Sequence, residues 1–255
     1  VLFRSSMIQQ GIIQYSGLFL LKETPMNLFL ARFKKNKFPT GIVYSDDSTI
    51  VIKEIDVSNH EVVAGVLFGI FERGSVQILD CSFYNNNFTR NVSAAMTPKS
   101  FILFYDATAL MSNNWFENIT LGNSGRLITA EGSTLDIYEI SIRNTYQTGQ
   151  SAALIESKSS ITRLQNATLQ KITSFFYSLG SDFISWKNIT IDDLTANQTS
   201  NFILQLLTSM IIIEDFTFIG TSLNYGTNPL IWVQSSDFSL IRSQFSNPMR
   251  SEEHT

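Results

Sequence analysis

Cysteine, proline, histidine and charge are all scarce in this chain, and each scarcity removes a class of explanation. Cys81 is the only cysteine among 255 residues, so there is no disulfide framework and no cysteine-based metal site. A single thiol fits either redox compartment. Five prolines and no low-complexity run leave nothing that reads as a linker between domains. Charged residues make up 16% of the chain and the net charge is −4. The only basic pair is Lys34-Lys35, so the electrostatic footprint of a nucleic-acid binder is absent and no such partner is expected. No apolar run approaches the roughly 18 residues needed to cross a bilayer as a helix. No membrane span is therefore expected in the covered region, although a longer protein could be anchored elsewhere.

Hydrophobic residues account for 44% of the sequence. With so few charges, Ser, Thr, Asn and Gln must cover much of the surface, which is a β-protein composition. The two ends read as artefact. Val1-Leu2-Phe3-Arg4-Ser5 and Arg250-Ser251-Glu252-Glu253-His254-Thr255 match the translation of a short-read sequencing adapter on opposite strands. Residues 1–5 and 250–255 are accordingly set aside. Residues 6–249 are expected to form a single domain belonging to a longer protein, with regular coils from about residue 46.

A repeat organises that domain, and fixed periods of this length signal a solenoid. Val57, Phe83, Phe116, Ile142, Leu169, Ile191, Phe218 and Phe245 serve as anchors, spaced by 26, 33, 26, 27, 22, 27 and 27 residues. Five positions before each anchor stands Ile52, Ile78, Met111, Ile137, Leu164, Trp186, Ile213 or Leu240, all apolar. Seven before, the column runs Ile50, Val76, Ala109, Leu135, Thr162, Ile184, Ile211, Phe238. Polar residues such as Asp56, Ser82, Ser141 and Thr190 lie one before, so side chains alternate with the period of two that marks a strand.

The alternation changes phase once per repeat, which requires a corner. Three before the anchor the column reads Glu54, Asp80, Asn113, Glu139, Asn166, Asn188, Asp215, Arg242. Two after the anchor it reads Asn59, Asn85, Asn118, Asn144, Lys171, Asp193, Gly220, Asn247, mostly residue types that tolerate left-handed backbone. A third apolar strand follows, for example Phe101-Ile102-Leu103, and then a small residue such as Ser48, Ser133 or Ser160. Three strands and three corners make a triangular coil that can bury its apolar face only by stacking on copies of itself. The expected fold is all-β, a parallel β-helix of about 8–9 coils of 22–33 residues. It should be right-handed, because parallel crossovers are almost always so. Upstream, the strand-like segments 11–16 and 41–45 place the start of the stack near Met7, with Leu30 as a further anchor and an irregular coil across 24–38.

Strand-turn units such as Val76-Gln77-Ile78-Leu79-Asp80-Cys81-Ser82-Phe83-Tyr84-Asn85-Asn86 resemble the right-handed parallel β-helix superfamily, often called pectin-lyase-like. The resemblance covers about four fifths of the chain. It implies architecture and leaves activity open, since the superfamily holds polysaccharide lyases and glycoside hydrolases as well as adhesins and catalytically silent surface proteins. The Asn-, Ser- and Phe-rich texture also resembles β-helical segments of large surface proteins of ciliates and other protists. The expected function is thus a non-catalytic solenoid segment of a larger surface or secreted protein, with an extracellular or cell-surface location. Carbohydrate or other surface proteins are the expected partners, and no cofactor is expected. The competing reading is a carbohydrate-active enzyme whose catalytic residues are not evident here.

Few residues carry chemistry. The acidic pairs Asp46-Asp47 and Asp192-Asp193 lack the Gly-His-Gly and Arg-x-Lys companions that the hydrolase resemblance would require, so no catalytic residue is assigned. Stacking brings Glu54 beside Asp80 with Asp56 nearby, a candidate for a calcium ion, which needs several oxygen ligands. Tyr84 and Trp115, at outward positions beside a loop expected from Asn86 to Lys99, are candidates for stacking on sugar rings. Asn87, Asn91, Asn118 and Asn197 head Asn-x-Ser/Thr sequons and are candidates for glycosylation in a secreted protein. Cys81, at an inward position, reads as a small core residue.

Overall fold

Period-two alternation that shifts phase at a fixed point can be satisfied only if the strand bends there, and that is how the chain folds. The computed structural model describes residues 8–10, 13–15, 17–34, 37–38, 41–62, 66–88, 100–122, 125–147, 153–173, 175–181, 183–194, 204–220 and 231–246. Among these residues every regular element is a β-strand, and no helix occurs. Apart from one antiparallel hairpin, Ile8–Gln10 with Ile13–Tyr15, all pairing is parallel, each strand lying on its copy one coil away. The result is a β-solenoid.

Three faces surround one interior. The first is built from segments such as Thr49–Lys53 and Ser75–Leu79, the second from segments such as Asp56–Ser58 and Ser82–Tyr84. From Thr108–Glu117 to Met210–Ile219 a single long strand runs through both faces and bends at the corner between them. The third face is a nine-stranded parallel sheet that starts at Gly17–Lys22 and ends at Ile231–Gln234. All eight anchors pair in one unbroken column from Val57 to Phe245. A short run after the Asn-rich corner also pairs, in Lys37–Phe38, Glu61–Val62, Asn87–Phe88 and Thr120–Leu121. Two residues are too few for an alternation that would reveal it.

Left-handed corners hold the bends. All eight residues three before the anchors, Glu54 through Arg242, have φ between 49 and 56°, and Asn59, Asn85, Asn118, Asn144, Lys171, Asp193 and Gly220 have φ between 47 and 63°. This geometry keeps the ladder going through the bend, as when Glu54 N–H donates to the Leu79 carbonyl and Asn85 N–H to that of Glu117. At the third corner the left-handed residue is one earlier than the small residue, at Asp47, Asp106, Gly132, Ser159 and Thr208.

The small residue there has its own task. Ser48, Ser133, Ser160, Ser209 and Ser236 each donate the hydroxyl to the carbonyl two residues back. Each also accepts a backbone N–H from the preceding coil, on Thr24, Ala107, Ser133, Ser181 and Ser209 respectively. In these five coils one serine thereby satisfies a donor that the bend would otherwise leave buried and unpaired.

The interior is a continuous apolar column running from Ile42 to Phe218. Aromatic rings fill its wide levels: Phe83 stacks on Phe116 with centroids 4.7 Å apart, and Trp186 packs between Phe175 and Phe176. Two inward asparagines are satisfied by backbone. Asn114 Oδ1 accepts from Cys81 N–H while its Nδ2 donates to the Ile78 carbonyl, and Asn86 bridges His60 N–H and the Val57 carbonyl in the same way.

The start of the stack differs from the expectation. Segment 11–16 contributes Ile13–Tyr15 to the hairpin, and the first coil begins at Gly17–Lys22, which pairs with Gly41–Asp46. Residues 24–34 are regular, because Met26–Phe29 and Arg32–Lys34 continue the first and second faces. Phe33 is the anchor below Val57. Leu30 occupies the left-handed corner, at φ 53° and 76% exposed. Counting back by the commonest spacing misplaced the anchor by three, since this first coil is shorter than most.

Candidate functional site

Stacking aligns outward side chains as well as inward ones, so any site on a solenoid is a patch of adjacent columns. The first and second faces carry the residues expected from sequence. Glu54 and Asp80 do lie one above the other at the first corner, but Lys53 lies with them, its Nζ 3.3 Å from Glu54 Oε1 and 3.9 Å from Asp80 Oδ2. Asp80 also accepts from Asn113 Nδ2 at 2.8 Å. Asp56 sits on the next face, paired with Arg32 at 3.3 Å. A calcium ion at this corner would have to replace the Lys53 ammonium. No group of three or more His, Cys, Asp or Glu side chains close enough to hold a metal occurs among the described residues.

Trp115 is 37% exposed on the second face, and Tyr84 is half-buried. They occupy different columns: Trp115 pairs with Ser82 and Ser141, whereas Tyr84 pairs with Ser58 and Glu117. The Arg143 guanidinium lies 4.6 Å from the Trp115 ring centroid, and the indole N–H donates to Glu117. One face of the indole is thus already occupied by a cation. Of the expected loop from Asn86 to Lys99, residues 86–88 are ordered structure, with Asn86 buried and Asn87–Phe88 paired on both sides. Residues 89–99 lie outside the described part, and Asn91 and Asn197 fall there or in 195–203. Asn87 is exposed, and so is Asn118, whose Nδ2 donates to Asn85 Oδ1 at 3.0 Å. Cys81 is buried, with its thiol directed at backbone carbonyls of Leu79 and Ile52. Burial pushes that thiol up to about 11, so it stays protonated and unreactive near neutrality.

A buried ion-pair cluster lies elsewhere, on the outward side of the third face. There the column Tyr44, Leu103, Thr129 and Glu156 is almost wholly buried, unlike the outward columns of the other two faces. Glu156 pairs with Thr129 in one neighbouring coil and Tyr177 in the other. Its Oε2 lies 2.6 Å from Arg126 Nε and 3.5 Å from Lys158 Nζ. Burial, with the Glu156 charge adding to it, raises the Tyr177 phenol above its ordinary value, and Arg126 partly offsets this. A carboxylate claimed by two cations is an ion-pair lock between coils. The register of the third face brings the three together, since Arg126 stands two before Ile128, which pairs with Ile155, and Lys158 two after Glu156. In linear sequence Glu156 reads only as a polar residue after an apolar run.

Elsewhere, charge is neutralised coil to coil. Arg242 makes two hydrogen bonds to Asp215, at 2.6 and 3.0 Å, and Arg163 reaches Asp136 at 2.9 Å. Arg73 reaches Asp47 at 3.3 Å. The Arg242 contact holds the Asp215 carboxyl below the usual carboxylate range.

No family model matches the chain, and no curated protein matches it. Among solved structures it is similar to HetL, a pentapeptide repeat protein involved in heterocyst differentiation regulation from the cyanobacterium Nostoc sp. The TM-score is 0.18 and the identity 9%, over 86% of this chain and 87% of that one. A superposition this loose carries no argument about the present chain.

Proposed function

We propose that the chain is a non-catalytic β-solenoid segment of a larger surface or secreted protein, of the pectin-lyase-like type, serving as a rigid scaffold with outward side chains available for binding. The observation that carries this reading is the way charge is used. Arg32–Asp56, Arg73–Asp47, Arg163–Asp136, Arg242–Asp215 and Arg126–Glu156 each join one coil to its neighbour. Catalysis on a polysaccharide would instead gather carboxylates or a base toward one reacting bond. The Ser-, Thr- and Asn-rich exterior and the exposed Asn87 and Asn118 sequons support a secreted context.

The reading is tested by incubating the purified chain with polyuronides and neutral glycans and following unsaturated products and new reducing ends. No turnover is expected. Sustained turnover abolished by Glu156→Gln would replace the scaffold with a carbohydrate-active enzyme. For the binding surface, glycan titration followed by tryptophan fluorescence should respond in the parent chain and not in Trp115→Ala. Expression in a eukaryotic secretory host, followed by peptide mass spectrometry, should find glycan on Asn87. Unmodified Asn87 and Asn118 in fully secreted material would count against the surface assignment.

A further inference from the structure

Two enclosed polar atoms adjoin Trp115 in the coil that follows it. Ser141 pairs with Trp115 and Arg143 with Glu117. Ser141 Oγ and Arg143 Nε are both shut off from solvent and have no hydrogen-bond partner among the described residues. Folded chains hold few such atoms, because each one lowers stability. The indole itself is exposed, and the Arg143 guanidinium carbon lies 4.6 Å from its centroid. A covered Ser141 and Arg143 beside an exposed ring fix how the ring lies: it leans over the following coil, with its inner face on these two side chains and its outer face toward solvent. The indole N–H donates to Glu117 Oε2 at 3.2 Å, which fixes its rotation.

Arg143 is also unlike the other arginines of the stack. Arg32, Arg73, Arg126, Arg163 and Arg242 each reach a carboxylate in a neighbouring coil. Arg143 makes no ion pair among the described residues, and its charge is directed at the ring instead. A ring supported from beneath and held through its N–H loses little conformational freedom when a ligand settles on it. The open face is flat and apolar, and its rim is polar. Ser82 precedes Trp115 in the same column, and Asn113 stands at the adjoining corner, its Nδ2 committed to Asp80 and its Oδ1 without a donor among the described residues. An apolar face bordered by hydrogen-bonding groups is the complement of a pyranose, which has C–H faces and a rim of hydroxyls. A cationic ligand is disfavoured, because Arg143 already engages the ring from the other side.

We propose that Trp115 is a preorganised stacking platform for one neutral hexopyranose ring, with Arg143 and Glu117 as its positioning residues. This rests on the reading of the solenoid as a binding surface and names the ligand class that the surface takes.

Titration of the full chain with neutral gluco-, galacto- and manno-oligosaccharides, followed by tryptophan fluorescence, tests it. At least one series should bind saturably, and Trp115→Ala should abolish the response. Arg143→Met keeps the apolar stem without the charge and should weaken binding about tenfold. Arg143→Lys returns a cation to the ring and should recover most of that loss. Glu117→Gln keeps an acceptor for the indole N–H and should bind like the parent, whereas Glu117→Ala should not. If no oligosaccharide binds the parent, the binding-surface reading fails and this inference with it. If the parent binds and Arg143→Met binds equally well, the positioning role alone is refuted. Equal losses in Arg143→Met and Arg143→Lys, accompanied by lower urea midpoints, would make Arg143 a structural residue and also overturn it. Displacement of the oligosaccharide by tetramethylammonium would overturn the neutral-ligand assignment. Circular dichroism checks that each variant folds, and the Glu117 pair carries the test if Arg143→Met does not.

Discussion

Thr208 carries a β-branched side chain at φ 54°, a conformation that sets its Cβ against the following carbonyl and that branched residues rarely adopt. Its N–H closes the ladder onto the Gln234 carbonyl, so the fold imposes the strain. Thr208→Asn, which tolerates this region, should raise stability by about 1 kcal/mol in urea unfolding; a loss would mean that the threonine makes a compensating contact. Cys81 gives a pH signature. Its folded value is raised from 9.0 to about 11 by burial, so above pH 9 the unfolded chain releases the thiol proton first. The stability the protonated thiol contributes is intact below that pH and declines as pH rises to about 11, by about 3 kcal/mol in all. Cys81→Ala should remove this part of the alkaline decline, and parallel pH curves for the two proteins would refute the assignment.

At the scale of a strand and its corner, polar residues inside the stack matter as much as apolar ones. Asn114 joins two coils through Cys81 N–H and the Ile78 carbonyl. Asn114→Ala leaves both groups buried without partners and should lower stability by about 3 kcal/mol, read as a fall in the urea midpoint at unchanged slope. Asn114 stands two before its anchor, as the inward Cys81 does, and its side-chain geometry explains why asparagine is accepted there. The corners were legible because a left-handed bend favours Asn, Asp and Gly, and the sequence repeats these types two after nearly every anchor. Glu156 was not. Its partner Arg126 is thirty residues away, and only the outward geometry of the third face brings the two together. Trp186 is similar: alternation placed it inside, but that its indole N–H would find no acceptor among the described residues depends on the rings packed around it.

For the molecule as a whole, a stack of equivalent coils should tolerate loss of one coil and not of half a coil. Deleting residues 134–160 brings Ile161, which pairs with Thr134, directly after Ser133 and leaves every column in phase. That variant should keep its β circular dichroism and unfold cooperatively, with a denaturant slope smaller by about a tenth. Deleting 134–146 instead carries the chain into the wrong face and should abolish folding; equal behaviour of the two deletions would mean that coils are not the structural unit. Sequence alone determined the period, the inward columns and the corner chemistry, because each is set by local backbone preference and by which residues leave water. Only the tertiary structure decided which residue anchors the first described coil, which outward face is covered and how charges pair between coils. Those depend on coil lengths and on neighbours far apart in the chain, and no local preference encodes them.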